Sequence, residues 1–425
     1  MLSSTRWLSP KLLILLLLLG SFLLAQARVT QPAPAPADLA LVGAKIYPDP
    51  EATPILDGVV LLRQGKITAV GTAQQVRIPA STPVIDCRGM IMTAGFWNCH
   101  VHFIEPKWLG ADTIAAPRLS RQLQQMLTRY GFTYAFDLAT LDLRNLLRLR
   151  ARIATGLVPG PTIFSTGEPF TPPAGNPAYI EPLKLAEAGS PEQAAQHVQS
   201  QLTAGADAIK MWSASPTGRE VVPMPLAIMR AAVAVAHAQQ KPVFAHPTNL
   251  LGVSLAAQGG VDILTHVAPD DRRVWDAQTV QAMRAANLAL IPTLKLFKWE
   301  LEQAGIPPDK NILLQVGQQQ LHVFAQAGGE ILFGTDVGYM RDYSPADEYL
   351  LMSQAGLSFS QILASLTTAP ARRFGRAAQT GKVAKGMSAD LVILRRDPAT
   401  DVRAFADVAY TLHQGKLLYS QAKKE

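Results

Sequence analysis

Six residues of the chain have types and positions that could hold divalent metal. His100 and His102 are two apart, and His246, His266, Lys210 and Asp336 each close a short apolar run. Neutral imidazoles and carboxylates suit zinc or a similar borderline ion, and the absence of thiolates beside them argues against a soft-metal site. Each residue taken alone has a plainer reading. A lone His-x-His pair arises by chance, a strand-end lysine can snorkel, a buried histidine can be satisfied by its neighbours, and an acid after a strand can cap a helix. What separates this set from those readings is that all six fall at the ends of five predicted strands.

The elements that must position them can be read from apolar periodicity. Gly95–Val101, Phe132–Phe136, Ile163–Ser165, Ala208–Met211, Val243–Ala245, Ile263–Leu264, Leu288–Pro292 and Ile331–Phe333 are short apolar runs. They alternate with helix-patterned stretches: Pro117–Tyr130, Leu141–Thr155, Ser190–Ala204, Met224–Gln239, Asn249–Ala257, Asp276–Ala286, Asp309–Ala325 and Pro345–Ala355. Eight strands each followed by a helix predict an α/β fold of the (β/α)8 TIM-barrel type, with chemistry at the C-terminal ends of the strands. Alternation along the first strand points His100 and His102 to one face and Cys99 to the outer helix layer. Shorter β-rich runs flank this region, Leu39–Ile46, Gly58–Arg63, Ile67–Gly71 and Val84–Cys87 before it and Ala389–Leu394, Val408–His413 and Lys416–Tyr419 after it. Neither set is large enough to stand alone, so both are expected to combine into one small β-sandwich. The expected organisation is a sandwich half at 38–92, the barrel at 93–375 and the second sandwich half at 376–425.

These residues resemble the amidohydrolase superfamily over nearly all of the chain after residue 37. Gly95-Phe96-Trp97-Asn98-Cys99-His100-Val101-His102 is similar to its first-strand signature, and His246, His266 and Gly334-Thr335-Asp336 match the later ligands in order and spacing. The stretch from Gly381 to Val392 resembles the family's return strand. Lys210 in Gly-Ala-Asp-Ala-Ile-Lys is similar to the lysine of the imidazolonepropionase-related, Xaa-Pro dipeptidase-like branch, where it is carboxylated and bridges two metals. The resemblance implies two divalent ions, with zinc expected. His100, His102 and Asp336 would hold one ion, and His246 and His266 the other. Lys210 would bridge as N6-carboxylysine, since an ammonium cannot ligate and burial among cations favours the neutral amine that adds carbon dioxide. A hydroxide between the ions would attack the carbonyl, with Asp336 as catalytic proton shuttle to the leaving amine.

The implied substrates are small-molecule amides, namely dipeptides, N-acyl amino acids or cyclic amides. An esterase or lactonase using the same site, and a non-catalytic binding protein on the same scaffold, are the alternatives. Where relatives tend to carry Gly-Gly-His, this chain has Gly175-Asn176, which weakens the dipeptide and peptidyl-proline expectation. The loops Glu105–Ala116, Glu168–Ile180, Trp212–Val222 and Val337–Tyr343 would form the mouth, and Trp212, Tyr339 and Arg341 are the candidate substrate-binding residues there, with Trp108, Tyr179 and Arg219 also available. His197, His237, His322 and His413 fall on helix or sandwich patterns and are read as structural.

The N-terminus carries an address. Arg6 and Lys11 precede an apolar stretch from Leu12 to Leu24, and Ala25-Gln26-Ala27 supplies small residues for a peptidase. This is the pattern of a secretory signal peptide, here 1–27, followed by a Pro/Ala linker at 28–37. The apolar stretch is shorter than the ~18–20 residues a span needs, so a secreted or periplasmic protein is expected over an uncleaved anchor. The length of 425 residues and the 48% hydrophobic, 17% charged composition exclude a disordered chain. The net charge of +7 is spread along the chain without a basic stripe, which argues against nucleic acid. Two cysteines, Cys87 and Cys99, make no disulfide framework. A homo-oligomer is compatible with all of these features.

Overall fold

The computed structural model describes residues 37–308 and 311–421, so the expected signal peptide and all but the last residue of the linker lie outside the described residues. Strands β1 (Leu39–Ile46), β2 (Ile55–Arg63), β3 (Lys66–Thr72), β4 (Val84–Asp86) and β5 (Ile91–Ala94) come first. They are followed by β6 (Phe96–Val101), β7 (Phe132–Asp137), β8 (Thr162–Ser165), β9 (Phe170–Thr171), β10 (Ala186–Glu187) and β11 (Ile209–Trp212). A short hairpin, β12 (Ala214–Pro216) and β13 (Val221–Pro223), precedes β14 (Val243–His246), β15 (Ile263–Thr265) and β16 (Ala289–Ile291). The chain ends in β17 (Leu391–Leu394), β18 (Val408–His413) and β19 (Lys416–Ser420).

The fold is α/β with parallel sheets. Strands β6, β7 and β8 pair in parallel, as do β11, β14, β15 and β16. Between the two groups the Asp207 amide donates to the Ser165 carbonyl at 2.7 Å. The segment after Glu330 bonds on both sides. The Leu332 amide donates to Leu290 at 2.9 Å, while Cys99 donates to Phe333 at 2.7 Å and Asp336 to His100 at 2.8 Å.

Burial along these strands alternates between two apolar clusters. Ala135, Ile163, Ile209, Met211, Val243 and Leu264 pack with the helices in the large core. Tyr134, Phe136, Ala208, Phe244, Ile263 and Ile291 form a second cluster that gathers residues from both strand groups. Burying each large side chain contributes about 1.5–3 kcal/mol. The intervening helices begin where polar caps sit, as at Asp142, Ser190, Asn249 and Asp276, whose side chains accept a first-turn amide.

One expectation for the first strand is corrected. Cys99 packs in the second cluster with Trp97, away from the helix-facing core, because register shifts between Asn98 and Val101 interrupt the strict alternation. Both thiols are free and buried. Helix Leu294–Gln303, and the pair Phe359–Leu366 and Thr368–Arg373, add to the helices expected from periodicity.

The two ends of the chain share one mixed sheet in the order β19-β18-β17-β5-β1-β2-β3, with β4 beside β1. Its hydrogen-bond ladder is continuous and does not divide into two sheets. Leu41, Val60, Leu62, Met92, Leu391 and Ile393 form one apolar face. On the opposite side Ile91, Val392, Leu394 and Val408 join the large core. Strand β5 crosses the boundary expected at residue 92 and pairs antiparallel with β17. Across the junction Lys45 reaches Asp397 at 2.7 Å.

Candidate metal centre

All six candidate ligands come together at one end of the parallel strands, lining a cavity of about 330 Å³. His100, one residue before the end of β6, has Nε2 3.2 Å from His102 Nε2, and both nitrogens turn toward Asp336 Oδ1, at 3.3 and 2.7 Å. His266 Nε2 lies 4.0 Å from the other carboxylate oxygen. His246 adjoins His266 with ring centroids 4.7 Å apart. Lys210 Nζ donates to Thr265 Oγ1 at 2.5 Å, and Thr265 in turn donates to the Ala245 carbonyl at 3.1 Å.

The backbone holds two of these ligands in strained positions. Asp336 has φ 61° and His266 φ 77°, in the left-handed region that costs a non-glycine residue about 1 kcal/mol or more. Neighbouring glycines permit the packing this demands. A Cβ on Gly334 would lie 2.7 Å from His100 Cβ, and one on Gly338 would lie 1.9 Å from the His102 carbonyl oxygen. Buried Lys295 then fastens the following loop, donating to the carbonyls of Asp342 and Ser344 at 2.8 and 2.6 Å.

The electrostatics favour neutral donors. Burial, reinforced by the neighbouring imidazoles and Lys210, pushes His100 and His266 well below the usual histidine range, and burial with Lys210 does the same to His246. Burial lowers Lys210 to about 7 against the opposing pull of Asp336. The Asp336 carboxylate is 4% exposed, and its Oδ1 makes no in-line hydrogen bond despite two imidazole nitrogens close by. Nitrogen and oxygen lone pairs that converge on a shared point without a proton directed between them fit a divalent cation.

Residues outside this set orient it. His266 Nδ1 meets Thr293 Oγ1 at 2.6 Å, which fixes its ring. Asn98 bridges both ligand segments, with Oδ1 accepting from the amides of His100 and Thr335 at 3.3 and 3.2 Å and Nδ2 donating to Thr335 Oγ1 at 2.7 Å. Asp137 accepts from the Phe103 amide at 3.0 Å and from Ser165 Oγ at 2.9 Å. Asn98→Ala is expected to weaken metal affinity at least about tenfold. It should also cost about 1–3 kcal/mol of stability, because the His100 amide and the Thr335 hydroxyl lose buried partners and the Thr335 amide keeps only the His100 carbonyl at 3.3 Å. Chelator competition and urea denaturation would read these effects, and an affinity within twofold of wild type would refute the bridging role.

Of the expected mouth residues, Trp212 and Tyr339 line the cavity, with Trp212 stacked on His246 at 5.6 Å between centroids. Arg341 does not. It is exposed, because the chain turns through Gly338 before reaching it and its side chain points to solvent. Trp108 is buried outside the cavity and Arg219 is exposed. The four remaining histidines have partners elsewhere: His197 with the Glu168 carbonyl, His237 with Asp262, His322 with the Ala355 carbonyl and His413 with Asp390.

Sequence reasoning had Tyr179 and Ile180 at the mouth but missed much of the remaining wall: Leu183 and Leu185 follow in the same loop, and Leu296, Phe297 and Glu300 come from the helix after Thr293. The spacing of Leu294, Phe297 and Leu301 could have revealed that helix. Asn176, at the departure from the relatives' motif, brackets the loop: its Nδ2 donates to the Leu183 carbonyl and its Oδ1 accepts from the Leu185 amide, both at 3.0 Å. Asn176→Ala is therefore expected to raise KM on the order of fivefold, with a smaller change in kcat. An unchanged KM across apolar substrates would sink this role.

The Amidohydrolase family model matches residues 91–418. The ochratoxinase of Aspergillus niger is 23% identical over 370 residues, covering 77% of this chain and 74% of that protein. Among solved structures, a candidate prolidase from Bifidobacterium longum has a TM-score of 0.76 at 26% identity, covering 92% of this chain and 97% of its own. The crystal structure of A. niger ochratoxinase has a TM-score of 0.73 at 20% identity, covering 90% and 96%, and it speaks for the fold alone.

Proposed function

The chain belongs to the amidohydrolase family and is a hydrolase acting on carbon–nitrogen bonds, and from that premise we propose a metal-dependent hydrolase of small-molecule amide or peptide-like substrates. The observation that carries the metal dependence is the convergence of His100, His102 and His266 nitrogens on the two oxygens of Asp336. His100, His102, Lys210, His246, His266 and Asp336 would hold two divalent ions, with zinc the best match to the donor set. Ions held there supply Lewis acidity toward an amide oxygen and an ionised water at neutral pH.

The chain's own residues do the rest. Depressed basicity keeps His100, His246 and His266 neutral, so each of these rings offers one nitrogen lone pair. The neutral Lys210 amine can add carbon dioxide, forming an N–C bond and releasing one proton, and the carbamate so formed carries two oxygens. Asp336 would accept the attacking water's proton on its carboxylate and hand it to the departing nitrogen. Tyr179 and Trp212, joined by an indole to hydroxyl hydrogen bond of 3.3 Å, cover the entrance and help exclude bulk water.

The site reading rests on a closed (β/α)8 barrel. Bonding of the segment after Glu330 to both β16 and β6, and a cluster fed by both strand groups, support it. Export by the 1–27 segment is part of the proposal. Among the described residues no helix is long and apolar enough to cross a membrane.

The test is metal analysis of the purified chain beside a screen of matched amides and esters. About two divalent ions per chain, amide hydrolysis lost on chelation and loss of hydrolysis in Lys210→Ala are expected. Fewer than one ion per chain together with intact hydrolysis in Lys210→Ala would overturn the mechanism.

A further inference from the structure

The cavity over the candidate centre is one-sided in charge. Among the described residues that line it, Lys210 is the only lysine or arginine, and its amine is taken up by Thr265. Asp270 and Glu300 also line it, and both are open to solvent on the outer side. The other charges acting on them are negative as well: Asp271 on Asp270, and Asp336 and Asp270 on Glu300. Desolvation and this mutual repulsion push both carboxyls upward. The partner found for Glu300 is the Tyr339 hydroxyl at 3.4 Å.

At the deep end of the same space buried Asp336 adds a further carboxylate, with Oδ1 2.7 Å from His102 Nε2. Between the two ends the wall is apolar, and Leu141, Tyr179 and Leu183 are exposed while lining the cavity. Exposed apolar side chains around a cavity gain when an apolar solute covers them.

We propose that the substrate is an amide with an apolar body, which covers the Tyr179–Leu183 wall, and a cationic far end, an ammonium or guanidinium, which faces Asp270 and Glu300. This rests on the hydrolase reading above and narrows it. A cation there relieves repulsion between two carboxylates, whereas a free carboxylate adds a third like charge with no basic side chain to receive it. The same pocket thus attracts one end group and rejects the other.

The experiment uses phenylacetamides of a five-carbon amine ending in ammonium, methyl or carboxylate, with the zinc-loaded full chain. For binding alone, it uses the matching ketones, which lack the scissile carbon–nitrogen bond. Calorimetry is expected to rank the ketones ammonium, methyl, carboxylate, with about tenfold or more between the first and last at low salt, narrowing as salt screens the charges. The kcat/KM values of the amides should follow the same order. In Asp270→Asn/Glu300→Gln the ratio of ammonium to carboxylate binding should fall to about one.

Equal or reversed ketone affinities, no binding by any of the three, or an order that survives in the double variant would each overturn the proposal. If the ketone order holds but none of the amides, nor any other amide in the screen, is hydrolysed, the hydrolase reading fails and the charge preference stands. If amides are hydrolysed and the ketone order is absent, the charge preference fails and the hydrolase reading stands.

Discussion

Asp336→Asn is expected to lower kcat on the order of a thousandfold while the fold survives. The substitution keeps size and shape, and asparagine tolerates the left-handed backbone at φ 61° at least as well as aspartate. The effect is therefore chemical. Asparagine cannot accept the proton that aspartate carries to the leaving nitrogen, a role worth about 10²–10⁴. It also removes the negative charge that lies 2.7 Å from His102 Nε2 and 3.3 Å from His100 Nε2, so bound metal should fall as well. Steady-state kinetics beside metal analysis at saturating zinc would separate the two losses. A variant that keeps more than a tenth of wild-type kcat with a full metal complement would remove Asp336 from the proton path.

The second large effect concerns Lys210, for which activity and stability should move in opposite directions. Lys210→Met removes the amine and is expected to abolish at least about 99% of activity along with the second ion. In the metal-free protein the same change should stabilise the fold. Burial holds the lysine at about 7 in the native state, against the ordinary value near 10.5 in the unfolded chain. Its native affinity for protons is thus lowered, so stability is lost as pH falls from about 10.5 to about 7 and changes little below that. At pH 7 the cost is on the order of 4 kcal/mol. Urea denaturation of chelated protein at pH 7, 8 and 9 should show wild type gaining stability with pH relative to Lys210→Met. Parallel curves would mean that the native lysine is charged and partnered. Reloading with zinc in carbonate-free buffer, then adding bicarbonate, should restore wild-type activity only after the addition if the lysine is carboxylated.

The ligands were legible because each apolar run of a parallel strand ends where the backbone leaves the core, and a histidine, lysine or aspartate there stands out. The association of the two chain ends was expected because neither β-rich set is large enough to stand alone, but a sandwich was expected and the single continuous sheet was not legible. Less visible was anything that depends on irregular backbone. The register shift near Asn98 carried Cys99 to the other cluster. Helix Leu294–Gln303 follows directly on Thr293, two residues after β16 ends, at φ 45° and with no side-chain cap, and Glu300 went unseen with it. Arg341 looked like a mouth residue by position alone, and the turn at Gly338 takes it away. Asn176 was noticed as a departure, but that it ties down a wall of the cavity follows only from its two bonds across the loop.

The sheet shared by the chain ends has a consequence for biosynthesis. Strand β5 is flanked by β1 on one side and β17 on the other, and Lys45 meets Asp397 across 352 positions. At about 5–20 residues per second, tens of seconds separate the emergence of these partners from a ribosome. For that interval the growing chain offers a free β5 edge and the oily side of Leu41, Val60 and Met92 with no lid from Leu391 and Ile393. The early strands must therefore be shielded by a chaperone or kept unfolded until the last tenth of the polypeptide arrives. A chain truncated before Leu391 is expected to aggregate instead of forming a smaller enzyme.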